Sequence, residues 1–139
     1  MESYTIKQVS QMFHLPASTL RYYEDMGILT NIERSESGQR IYEQKHINRL
    51  RTIFCFKRTG MSIAQLQEFF SYEGDESAHI DDILHLLEKQ KAHVAEQIAK
   101  MQQDLKHVER KLRYYGDIKT AFDTGTELPH WTDYSEKEF

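Results

Sequence analysis

TIKQVSQMFHLPASTLRYYEDMG, residues 5–27, reads as two short helices joined by a tight turn. Thr5 stands where an N-cap belongs, and Gln8 three residues on completes a capping-box pattern. Ile6, Val9, Met12 and Phe13 then fall on one side of a helix ending near His14. Pro16 suits a turn or a first helical position, so a second helix is expected from Pro16 or Ala17 to Met26, stopped by Gly27. Two helices this close suggest a helix-turn-helix. Leu20 should pack on the first helix, which leaves Ser18, Thr19, Arg21 and Tyr22 on an accessible face that is polar, basic and aromatic. Tyr23, three residues after Leu20, is open to two readings, a core residue or a surface contact.

Downstream, ILTNIERSESGQRIYE (28–43) places β-branched and aromatic residues on either side of a polar tip, Ser35 to Gly38. This is the pattern of a hairpin with strands near Ile32 and Ile41, read here as a wing. A third helix over about 43–59 should bury Ile47, Leu50, Ile53 and Phe54 and end at Gly60. Ser62 opens a fourth, with Ile63, Leu66, Phe69 and Phe70 at helical spacing. From His79 to Phe122 there is no proline, and no glycine before Gly116, so one long helix is expected. Along it Leu84, Leu87, Lys91, Val94, Ile98, Met101, Leu105, Val108, Leu112 and Tyr115 alternate spacings of three and four, the coiled-coil repeat, with Lys91 alone breaking the apolar seam. From Leu84 to Tyr115 such a helix extends about 48 Å, and a seam of that length with no second long helix in the chain implies a second copy. The fold class is therefore mainly α: a winged helix-turn-helix domain (1–74), a coiled-coil dimerisation helix (75–122) and a tail (123–139).

Charge divides unevenly along these parts. The net charge of −4 resolves into +3 over residues 1–60, −2 over 61–74 and −5 over 75–139, so a basic footprint lies in the N-terminal part. No stretch has the apolar length of a membrane span and the start lacks a signal-peptide pattern, so a cytoplasmic, nucleoid-associated location is expected. Glycine-rich phosphate loops and nucleophile–base pairs are both missing from the sequence, so no enzyme is expected. The seven histidines are not spaced to converge on an ion, and neither a metal nor a cofactor is expected. A coiled-coil adaptor that binds protein and not DNA is the alternative from another class; the basic residues Arg21, Arg34 and Arg40 disfavour it.

Taken together and in order, STLRYYEDMGIL (18–29), ERSESGQRIYE (33–43), FKRTGMSIAQL (56–66) and the heptad helix resemble the MerR family of transcription regulators. The resemblance implies a winged-helix DNA-binding domain, an antiparallel coiled-coil homodimer and a C-terminal effector region. It also implies action on promoter DNA with RNA polymerase, by bending and untwisting an overlong spacer. Carried over residue by residue, it marks Thr19, Arg21 and Tyr22 or Tyr23 in the recognition helix, and Arg34, Ser37, Arg40 and Tyr42 in the wing, as DNA contacts; Ser18 joins them from the accessible face. Arginine suits phosphate and guanine edges, and hydroxyls suit phosphate oxygens. The alternative for Arg40, on a strand, is half of a structural ion pair.

For the effector, the lone Cys55 precedes FKRTG as in the single-cysteine NmlR/AdhR-like, electrophile-responsive subgroup, where the resemblance makes it the sensor. Arg51 and Arg58 flank it at helical spacing, which favours a reactive thiolate. The competing reading is a small buried hydrophobe between Phe54 and Phe56. A small apolar inducer held at the dimer interface and the tail, near Trp131, Tyr134 and Phe139, is the alternative to an electrophile.

Overall fold

The computed structural model describes residues 2–135, so Phe139 lies outside the described residues. It divides into two compact units, residues 1–90 and 91–139.

In the first unit, α1 (Ile6–Phe13) starts at the expected capping box: Thr5 Oγ1 accepts from the Gln8 N–H at 3.1 Å and Gln8 Oε1 accepts from the Thr5 N–H at 2.8 Å. It ends where His14 turns left-handed, at φ 52°. Helix α2 (Ala17–Asp25) follows Pro16. Ahead of both runs a strand that the pattern did not announce, β1 (Ser3–Tyr4). It joins β2 (Glu33–Arg34) and β3 (Arg40–Glu43) in a three-stranded antiparallel sheet of order β1-β3-β2, with Ser3 opposite Glu43, Glu33 opposite Ile41 and Arg34 opposite Arg40.

Helix α3 (Gln44–Arg58) begins directly after β3. Its first turn is closed by His46, a buried residue: Nδ1 accepts from the Glu43 N–H at 2.9 Å while Nε2–H donates to the carbonyls of Thr30 and Asn31 at 3.2 and 3.1 Å. An Nδ1 facing a backbone donor must be unprotonated, which fixes the Nε2–H tautomer. Helix α4 (Ile63–Ser71) has a second capping box, from Ser62 and Gln65. Val9, Leu20, Tyr23, Ile28, Leu29, Tyr42, Ile47, Leu50, Ile53, Met61, Leu66 and Phe70 form one core, with Leu86 packed against it. Phe54, expected in that core, is half-buried instead: its ring lies 6.4 Å from that of Phe13 and carries the Arg58 guanidinium 4.9 Å from its centroid. The unit runs past residue 74 because Gln90, in α5 (Glu76–Thr124), donates to Thr59.

The second unit holds the remainder of α5, a left-handed Gly125 after its end, and the short α6 (Thr132–Ser135). Ile98, Met101, Leu105, Val108, Leu112 and Tyr115, all in the seam, are exposed, Leu112 at 74%. Trp131 packs on the helix it follows, with the Lys111 ammonium 3.7 Å above its ring and Tyr114 5.4 Å away; the Tyr134 hydroxyl donates to Asp117.

Candidate nucleic-acid interface

Helix α2 buries Leu20 and Tyr23, so the helical repeat turns Ser18, Arg21 and Tyr22 outward. All three are exposed; Thr19 is half-buried beside them. The wing tip supplies Arg34 and Ser37, also exposed. The tip is rigid by its own bonds: the Ser35 N–H donates to the Gln39 carbonyl at 2.7 Å, the Gly38 N–H to the Ser35 carbonyl at 2.9 Å, and Arg34 Nη1 to the Gly38 carbonyl at 3.0 Å. Gly38 turns the chain at φ 84°, a region costly for residues with a Cβ.

Three candidate contacts from the sequence are placed differently. Tyr23 is a core residue, 7% exposed, and burial raises its phenol above the usual range. Tyr42 is fully buried, its hydroxyl without a hydrogen-bond partner. Burial raises that phenol as well, opposed by the charge of Arg40, and it also feels Glu24, Arg21 and Arg34. Neither tyrosine presents a surface to DNA in this structure: Tyr23 lies three residues from Leu20 on the buried side of α2, and Tyr42 belongs to the core. Arg40 is half-buried and ion-paired: its Nε donates to Glu24 Oε2 at 2.7 Å, the side chains being 19% and 27% exposed. The hydrogen bond to Glu24 raises the Arg40 pKa further.

Arg34 and Arg40 stand directly opposite across the hairpin, an arrangement of like charges that destabilises an isolated sheet pair. Glu24, from α2, offsets one of them. Nothing local in the sequence links Glu24 to a residue sixteen positions on. Another basic residue leaves the footprint: Arg49 donates from Nε to the Ile28 carbonyl at 2.6 Å and from Nη1 to Glu73 at 2.6 Å, with its guanidinium 3.9 Å from the centre of the Phe70 ring. It holds the fold together.

Cys55 is exposed on α3, so its reading as a buried small hydrophobe gives way. Arg51 and Arg58 are exposed on the same helix.

A paired helix and wing carrying outward arginines define a DNA-binding transcriptional regulator, and the comparisons agree. The family described as MerR HTH family regulatory protein matches residues 4–73, and that described as MerR, DNA binding matches residues 47–111. An HTH-type transcriptional regulator of Haemophilus influenzae is 34% identical over 119 residues, 84% of this chain and 87% of that protein. The regulator AdhR of Bacillus subtilis is 40% identical over 72 residues, covering 50% of this chain and 51% of its own. Among solved structures, HiNmlR, a MerR family regulator lacking the sensor domain and bound to promoter DNA, superposes with a TM-score of 0.74 at 32% identity, covering 90% of this chain and 97% of that one. A MerR family regulator from Bacillus thuringiensis gives 0.70 at 33%, covering 81% and 98%. The chain belongs to the MerR family of transcriptional regulators. Among the described residues no helix is long and apolar enough to cross a membrane.

Proposed function

We propose that this chain is a cytoplasmic homodimer without enzymatic activity that binds double-stranded promoter DNA through α2 and the wing and acts there with RNA polymerase. The observation that carries the DNA reading is the cluster of Arg21, Arg34 and Arg40 around the wing, with Arg21 and Arg34 turned outward. The promoter duplex held by the structurally similar HiNmlR supports it. The exposed apolar stripe from Ile98 to Tyr115 supports the dimer, since its three-and-four repeat is made to be covered by another such helix. A dimer fixes two DNA-binding units at one spacing, and such a pair can bend or untwist a duplex whose half-sites do not match that spacing. The test is DNA affinity against salt: a linear fall of log affinity with log salt for a duplex, made shallower by Arg21→Ala, supports the reading, and salt-insensitive or absent binding removes it.

For the inducer, the reading is covalent sensing by Cys55. An exposed thiol on a helix flanked by Arg51 and Arg58 is open to small electrophiles. Mass spectrometry of the folded protein after brief exposure to a small aldehyde tests it through the mass and site of any adduct.

A further inference from the structure

We propose that Glu24 is a positioning residue for DNA binding: it holds Arg40 by Nε so that the guanidinium's terminal nitrogens are set for a backbone phosphate. The inference rests on the DNA-binding reading above. Its ground is geometric. The bond from Arg40 Nε to Glu24 Oε2, at 2.7 Å, uses one of the five guanidinium N–H donors and fixes the plane of the group, and the four donors on the terminal nitrogens are those that grip a phosphate. The strand below is fixed too. β3 is the middle strand, paired with β2 at Arg40 itself and with β1 at Tyr42 and Glu43, so Arg40 springs from the first residue of an anchored strand and Glu24 from the recognition helix.

Electrostatics explains why a carboxylate sits in a surface meant for a polyanion. In the free protein Arg34 and Arg40 are directly opposed with no phosphate between them, and Tyr42, fully buried with an unpartnered hydroxyl, lies within the field of Arg40, Arg34 and Arg21. Glu24 offsets this crowding of positive charge and prevents Arg40 from swinging away before DNA arrives. An arginine already ordered loses less side-chain entropy when it binds.

The two roles open to Glu24 predict opposite signs. If it acts only by its charge, removing that charge next to a polyanion tightens binding. If it positions Arg40, removing it weakens binding. The experiment measures fluorescence anisotropy across a salt series, with a labelled duplex selected by the wild-type chain from a random-sequence pool. Glu24→Ala is expected to weaken binding several-fold and to lower the salt slope by about 0.9, one phosphate contact. Glu24→Gln, which keeps an acceptor at the same reach, is expected to stay close to wild type. Glu24→Asp keeps the charge but draws it back by one methylene, and it should weaken binding too, a readout that stands even if Glu24→Ala does not fold. In an Arg40→Ala background the Glu24 substitutions should cause no further loss. Tighter or unchanged binding by Glu24→Ala or Glu24→Asp overturns the inference, as does a loss of equal size with and without Arg40. If Arg21→Ala and Arg40→Ala both leave binding intact, it is the DNA-binding reading that fails.

Discussion

Gln90 donates from one amide nitrogen to both the carbonyl and the hydroxyl of Thr59, at 3.2 and 2.8 Å, thirty-one residues earlier in the chain. Thr59 is the C-cap of α3, and its N–H returns to the Cys55 carbonyl at 3.2 Å. The end of the helix that carries the cysteine is thereby fastened to α5. Gln90→Ala leaves part-buried acceptors without this donor and should cost about 1–2 kcal/mol, measurable by denaturant unfolding. No loss would mean that water replaces the amide without penalty.

Cys55→Ser is expected to leave DNA affinity unchanged, since the side chain is exposed on α3 and is not part of the α2 and wing surface. The response to aldehyde in a promoter-driven transcription assay should disappear with it. A response surviving the substitution would move the search for the inducer to the tail around Trp131.

Arg21→Ala should weaken duplex binding by about tenfold, as expected for a lost charge-assisted contact, and reduce the salt slope by about 0.9. Because Arg21 is exposed, thermal stability should stay where it is. A fall in both would place Arg21 in the fold and not in the interface.

Met101→Glu together with Leu105→Glu puts two charges into the exposed apolar stripe of α5. Sedimentation equilibrium should then show a monomer where the parent chain is a dimer. Lys91→Leu, which completes the apolar repeat, should shift the same equilibrium toward the dimer. Equal masses for all three proteins would remove the seam from the account of assembly.

Tyr42 links the core to alkaline stability. Burial raises its phenol above the usual 10, so the folded state favours the neutral form more than the unfolded chain does. That contribution is complete below about pH 10 and is lost as pH climbs through the raised folded value. Tyr42→Phe should flatten the alkaline decline in unfolding free energy. It should also add about 1 kcal/mol at neutral pH, because it removes a buried hydroxyl with no partner. A loss at neutral pH would reveal a bond to that hydroxyl.

Local regularities made the helices legible. The Thr5–Gln8 box depends on residues three apart, as does the one opened by Ser62, and the helical repeat of α3 and the heptad of α5 are carried by the residues themselves. Strand β1 was not legible because two residues are too few to show alternation; Ser3 and Tyr4 are a strand only because β3 is beside them. The same holds for the site. Arg21 and Arg34 could be read from position, but Glu24 and Arg40 meet through packing of α2 on the wing, and Tyr42 faces inward by the register of β3. For Phe54, periodicity gave the side of the helix and not the depth to which that side is covered.

No residue separates the strand that bears Arg40 from the helix that bears Cys55. β3 ends at Glu43, α3 begins at Gln44, and His46 ties the joint back to the Glu43 N–H and to the carbonyls of Thr30 and Asn31. A joint without slack transmits rotation. Any tilt of α3 has to be taken up by the sheet, so within this unit the grip on DNA and the setting of the cysteine helix form a single lever. One residue inserted between positions 43 and 44 would part His46 from the Glu43 N–H and put slack into that lever.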